Sequence, residues 1–122
     1  MKGRARARIF GLRAEGLAAL WLRAKGFKIL ARNYAASGGE IDVIARRGAL
    51  VVFVEVKARP DRNQAQIAID AAKIRRISRA ARVWLAANPQ AADCALRGDA
   101  VLVARAHMPR HVPGAFNLDV FA

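Results

Sequence analysis

The 122-residue chain predicts an α/β (α+β) fold, a central mixed β-sheet flanked by helices. Three observations carry this. Helix-like and strand-like patterns follow one another in the order helix, three strands, helix, strand; two adjacent strand-like runs form a hairpin with a wholly apolar face; and two amphipathic helices are available to cover the sheet. At this length a single domain spanning 1–122 buries about two thirds of its unfolded surface without a disulfide framework.

The first helix is expected over residues 9–25. Leu12, Ala19 and Leu22 form one stripe, widened by Leu17, Leu20, Trp21 and Ala24, and Glu15 falls on that stripe, where it should face the protein rather than water. Residues 1–8 read as a basic arm. The arginine-rich start has the character of a mitochondrial presequence, but Glu15 interrupts it, and Gly26 followed by FKILARNY reads as a helix stop and then a strand over 27–34. Ser37, Gly38 and Gly39 make the next turn.

The hairpin comprises EIDVIARR, residues 40–47, and LVVFVEVKAR, Leu50–Arg59. Side chains alternate along a strand, so Glu55 and Lys57 share a face. An even-length turn around Arg47 and Gly48 sets Asp42 opposite Phe53 and Glu40 opposite Glu55, so that the charged groups converge. Ile41, Val43, Ala45, Leu50, Val52, Val54 and Val56 then form the apolar face, to be covered by a helix. An odd loop would scatter both sets.

Residues 60–63 read as a loop, and a second helix is expected over 64–87, ended by Asn88-Pro89. Ile74, Ile77, Ala81 and Trp84 recur at helical spacing. Lys73, Arg75, Arg76, Arg79 and Arg82 occupy the remaining surface. A short buried strand follows at 99–105, and Asp99 at its start is expected to cap or to pair with an arginine. The tail 106–122 reads as irregular, with an edge strand at 116–121. With one helix on each face of the hairpin, Glu15 is carried towards the other acids.

The formal net charge is +13, from 22 basic and 9 acidic residues. That excess is foreign to an enzyme of small neutral metabolites and points to a polyanion, foremost nucleic acid, because guanidinium groups bind phosphate bidentately and their binding releases condensed counterions. An anionic membrane surface is the lesser alternative, and no apolar run approaches the ~18 residues of a transmembrane helix, so a membrane is not the expected partner. One cysteine, Cys94, suits a reducing, cytoplasmic compartment, and with no nearby histidine it reads as a small loop or helix-end residue.

Clustered carboxylates repel one another unless a cation neutralises them. Mg²⁺ or Mn²⁺ suits hard oxygen ligands, and magnesium takes one or two protein carboxylates and fills its octahedron with water and phosphate. Asp42 and Glu55 are the expected ligands, with Glu15 and Glu40 as further or water-mediated contacts. Lys57, two residues from Glu55, can orient the attacking water and stabilise charge on a scissile phosphate. The plain reading of Glu55 and Lys57 is a surface ion pair, against which stand Asp42 and Glu40 on the same face. Arg59, Lys73, Arg75, Arg76, Arg79 and Arg82, with the basic arm, are candidate phosphate contacts. His107 and His111 stand four apart, but Pro109 between them forbids the helix that would make them a metal pair. Tyr34 is the one aromatic placed for base stacking.

Gly39-Glu40-Ile41-Asp42 followed by Phe53-Val54-Glu55-Val56-Lys57 resembles the YraN family of small bacterial proteins, itself similar to Holliday-junction resolvases of the PD-(D/E)XK nuclease superfamily. The likeness extends to Glu15, Ala18 and Leu22, to residues 26–34, to the 73–85 helix and to the late Asp99 strand. It implies a restriction-endonuclease-like core and a bacterial, metal-dependent endonuclease, a hydrolase of phosphodiester bonds in DNA, including branched DNA. By that likeness Asp42, Glu55 and the Val56 carbonyl hold Mg²⁺ or Mn²⁺, Lys57 is the catalytic lysine and Glu15 the helix-borne acid; a homodimer is expected by analogy with paired cutting. Ile41 stands where the superfamily has proline. The rival expectation is a non-catalytic module that binds DNA, RNA or the ribosome on the same fold.

Overall fold

A computed structural model describes the backbone of residues 2–59 and 69–120 and the side chains of residues 13–59 and 69–120. Among these, one sheet of five strands is sandwiched between two α-helices. The order is α1 (Lys2–Ala24), β1 (Lys28–Ala36), β2 (Gly39–Arg47), β3 (Leu50–Arg59), α2 (Ala71–Ala87), a short 3₁₀ turn (Pro89–Ala91), β4 (Ala95–Ala104) and β5 (Arg110–Phe116). The strands lie in sequence order, and β3 and β4, joined through α2, form the parallel pair in an otherwise antiparallel sheet. This is the mixed sheet with flanking helices that the patterning predicts.

The helices cover opposite faces. Ala14, Ala18 and Leu22 of α1 pack with Val43, Ala45, Val52, Val54, Val101 and Val103. The two alanines keep the helix close to the sheet. On the other side Ile77, Ala80, Ala81 and Trp84 of α2 meet Ile41, Ile44, Val51 and Phe53, with the Trp84 and Phe53 rings edge to face at 5.8 Å.

Helix α1 begins seven residues before the expected start at 9, so the backbone of the predicted basic arm continues the helix; the side chains of that arm, and of Leu12, lie outside the described residues. It ends in a Schellman arrangement: the Phe27 N–H donates to Leu22 O and the Gly26 N–H to Arg23 O, with Gly26 at φ +91°. The widening half of its apolar stripe is not core. Leu17 is 46% and Leu20 61% exposed, because a helix on a flat sheet buries one narrow stripe. Helix α2 starts at Ala71 rather than 64, since Asp70 caps it by accepting from the Lys73 N–H at 2.8 Å. The predicted loop 60–63 and positions 64–68 fall outside the described residues.

The tail is not irregular throughout. Residues 110–116 form the edge strand β5, ahead of the expected 116–121. Pro113 is tolerated because an edge strand has one side without a partner, and a register shift at Gly98/Ala100 accommodates Gly114 at φ +63°. Phe116 lies across Gly98, where an added Cβ would stand 2.6 Å from its ring.

The hairpin turn is even, Arg47 pairing with Leu50, but the register is displaced by two from the expected one. Phe53 lies opposite Ile44, not Asp42, and Glu40 does not face Glu55. Continued by one step past the last pair, Val43 with Val54, the ladder sets Asp42 across from Glu55 instead. Shifts of two preserve parity, so the faces survive the correction except at Ile41. Ile41 packs towards α2 while Val43 packs towards α1, so alternation breaks at Asp42.

Candidate metal and phosphodiester site

The break in β2 creates the site. Asp42 turns its carboxylate into the plane of the sheet, where Oδ2 accepts the Val56 N–H at 2.8 Å and so replaces the backbone partner that a continued ladder would supply. Across β2, Asn33 takes φ +51°, a left-handed conformation that asparagine tolerates, between the β1–β2 pairs Arg32 with Val43 and Tyr34 with Ile41. Within a strand a residue's N–H and C=O point to the same side, so the Val56 carbonyl also faces the Asp42 edge.

Placed at this seam, Asp42 is reached from both faces. Glu55, only 5% exposed, adjoins it on β3, and Glu15 approaches from α1. Two ammonium groups flank Glu55: Lys73 Nζ lies 3.6 Å and Lys57 Nζ 3.8 Å from the same oxygen, Oε1. The other oxygen, Oε2, is buried and without a hydrogen-bond partner, as is Oε2 of Glu15. Both carboxyls feel the negative charge of Asp42.

The electrostatics follow. Burial first, and then the negative charge of Asp42, push the Glu55 carboxyl up to about 7, against the pull of Lys73 and Lys57. Burial also raises Asp42, against the Val56 N–H and Lys73. Glu15 is raised by burial and by Asp42, and Asn33 opposes this by hydrogen bonding to it. Burial leads the upward shift at all three acids, and the charge of a neighbouring carboxylate adds to it at each. A proton shared between Asp42 and Glu55 or a bound cation would relieve it.

Among the described residues no three His, Cys, Asp or Glu side chains converge as a preformed metal cage. Magnesium does not require one: two carboxylates, a carbonyl, water and phosphate oxygens complete its shell. Asp42, Glu55 and the Val56 carbonyl fit that pattern, and the orphaned oxygens of Glu55 and Glu15 are the acceptors it would satisfy.

Glu40 is exposed and lines an open hollow of about 550 Å³ with Ala35, Ala36, Gly38, Gly39, Lys73 and Arg76. It acts on Asp42 and Glu15 by charge alone. Gly39 sets the depth of this hollow. A Cβ there would stand 1.9 Å from the Arg76 carbonyl, so glycine lets α2 press onto β2 and brings Lys73 beside Glu55. The sequence signal for it was the second glycine of Gly38-Gly39, legible as a turn residue but not as a packing one.

The basic residues divide between two places. Lys73 and Arg76 border the carboxylates, while Arg75, Arg79 and Arg82 line a smaller hollow of about 180 Å³ with Ser78 and Asp119. Arg79 Nε donates to Ser37 O and Arg82 Nη1 to Asp119 O, which fixes both side chains. Arg59 is half-buried and donates to the Ala58 carbonyl. Tyr34 packs into the apolar cluster under α2 rather than standing free to stack.

His107 and His111 do not meet as a pair. His107 borders an apolar hollow with Leu17, Leu20, Trp21 and Met108, whereas His111 lies on β5 with its ring bonded to Lys25 through Nδ1 and to Asp99 through Nε2. Asp99 pairs with an arginine as expected: Arg97 binds it through two nitrogens at 2.7 and 2.9 Å, and the Gly114 N–H adds a fourth contact. His111 comes from β5 and its own partner Lys25 from just beyond α1, both distant in sequence from Asp99, so no local spacing marks them. Cys94 sits in the turn before β4.

Residues 14–103 match the model of a family described as "Uncharacterised protein family UPF0102". The chain is similar to UPF0102 proteins of Methylorubrum extorquens, at 58% identity over 89% of this chain and 85% of the relative, and of Methylocella silvestris, at 56% over 89% and 88%. A UPF0102 protein of Methylorubrum populi is 56% identical over 88% of this chain and 86% of its own length.

Proposed function

The chain belongs to the UPF0102 family, and we propose that it is a cytoplasmic, metal-dependent endonuclease-like protein that hydrolyses phosphodiester bonds in DNA. The carrying observation is the pair of buried carboxylate oxygens without partners, on Glu55 and Glu15, two acids that each feel the negative charge of Asp42, in a protein of net charge +13. Such oxygens are costly unless a cation completes them, and so basic a surface calls for a polyanion. The restriction-endonuclease-like likeness of the motif points the same way, and with it branched DNA as substrate and a dimer for paired cuts.

In this reading Asp42, Glu55 and the Val56 carbonyl would hold Mg²⁺ or Mn²⁺. When bound, the ion supplies Lewis-acid stabilisation of the scissile phosphate and acidifies water. Lys57, set beside Glu55, orients the attacking water and faces the charge that builds on the phosphate. Glu15 holds the approach from the α1 side and can accept a proton from water there. Arg76, with Lys73, lines the hollow through which the phosphate would reach the seam, and Arg75, Arg79 and Arg82 contact neighbouring phosphates.

Incubation with labelled four-way, flap and linear DNA in Mg²⁺ or Mn²⁺ tests this. Cleavage by the wild-type protein, absent with Glu55→Gln, is the expected result. Equal cleavage by both would remove the site, and binding without cleavage would favour the non-catalytic DNA- or RNA-binding module.

A further inference from the structure

Lys73 stands where a lysine is unfavourable. It lies in the first turn of α2, its own N–H held by the Asp70 cap, where the helix macrodipole disfavours a cation. Its side chain reaches Glu55 Oε1 at 3.6 Å, too long for a hydrogen bond but close enough for charge pairing, and it also lines the open hollow beside Arg76 and Glu40. The ammonium thus sits between the buried acids and the space in which a phosphate would lie. Lys57 already accompanies the same Glu55 oxygen at 3.8 Å, so a second cation there is more than an ordinary ion pair supplies.

We propose that Lys73 is a stand-in counter-ion: in the metal-free protein its ammonium neutralises the Asp42–Glu55 pair, and it yields that position to a divalent cation and turns into the hollow towards the substrate phosphate. The inference rests on the metal-site reading above and adds a positioning role that competes with the ion. A lysine suits this better than an arginine, because its single charge rides on a flexible stem and makes no bidentate lock. Removing it leaves the carboxylates underpaired in the metal-free state and the ion without a competitor.

The test is Mn²⁺ titration by calorimetry without DNA, with thermal unfolding of the metal-free proteins, on wild type, Lys73→Met and Lys73→Arg. Lys73→Met is expected to bind Mn²⁺ about tenfold more tightly, the scale on which one neighbouring charge acts on a carboxylate. Its metal-free Tm falls at pH 8, and added Mn²⁺ raises Tm by more than in wild type. Lys73→Arg, which keeps the charge, binds no more tightly than wild type and shows that the gain in Lys73→Met is a charge effect. If wild type binds Mn²⁺ and Lys73→Met binds it equally or more weakly, the stand-in role is overturned while the metal site survives. If wild type binds no Mn²⁺, both fall together.

Discussion

Two buried acids lie one residue apart in the sheet register and on opposite faces, and they are treated in opposite ways. Asp99, paired across β4 with Val54 of β3, is fully buried and fully partnered by Arg97, His111 and the Gly114 N–H. Burial alone would raise its carboxyl; the hydrogen bonds from His111, Arg97 and Gly114 outweigh that and hold it at about 2. Glu55, one residue on from Val54, is nearly as buried, yet one oxygen has no partner and the carboxyl is pushed up to about 7. Similar burial with opposite satisfaction separates an acid whose bonds are complete from one that keeps an oxygen unused.

The sharpest break of this comparison is Asp99→Ala. It strands Arg97 and His111 beside a buried void, and urea unfolding is expected to show a loss of about 3–5 kcal/mol. Glu55→Gln should do the reverse in metal-free protein at pH 8. Removing a carboxylate that is forced to ionise in a buried site should stabilise the fold, by about 1–3 kcal/mol, while abolishing DNA cleavage. A destabilisation of Glu55→Gln as large as that of Asp99→Ala would mean that Glu55 is structural too.

The pH profile separates the two acids within one molecule. Glu55 has a folded pKa raised above 4.5, so its stabilising contribution is full below about 4.5 and disappears as pH rises through about 7. Asp99 has a folded pKa depressed below 3.8, so its contribution is present above 3.8 and disappears as pH falls through about 2. Chemical unfolding across pH 2–8 should therefore lose part of its slope between pH 4.5 and 7 in Glu55→Gln, with the raised Asp42 and Glu15 keeping the rest, and its acid slope in Asp99→Asn. A wild-type profile flat between pH 4.5 and 7 would contradict the Glu55 assignment.

A smaller effect concerns placement rather than charge. Gly39→Ala puts a methyl against the Arg76 carbonyl and must lift α2 off β2. An unfolding loss of about 1–3 kcal/mol is expected, with weaker cleavage as Lys73 and Arg76 withdraw from the seam. Full activity in a destabilised Gly39→Ala protein would separate α2 from the chemistry.

Much of this was legible in the residues because hydrophobic alternation reports faces. β3 runs over the expected Leu50–Arg59, and Glu55 and Lys57 share a face as alternation requires, with Asp42 beside Glu55 and Glu40 left exposed. Parity is blind to a shift of two, however, so the true register and the break at Asp42 were hidden; the break depends on Asn33 of β1, a residue with no pattern of its own. Breakers misled at the tail, where Pro113 and Gly114 concealed an edge strand that tolerates both. Lys73 read as one more basic residue on α2, since the Glu55 contact that sets it apart is made through the fold rather than along the chain.

The proposed place for a divalent cation is the seam between Asp42 and Glu55. Calorimetric titration of metal-free protein with Mn²⁺ at pH 7, repeated in buffers of different ionisation enthalpy, measures ion binding and proton release together. One saturable site per chain is expected, with protons released as Glu55 gives up its raised pKa, and loss of both signals in Asp42→Asn. Binding that persists unchanged in Asp42→Asn, or no saturable binding in the wild-type protein, would contradict it.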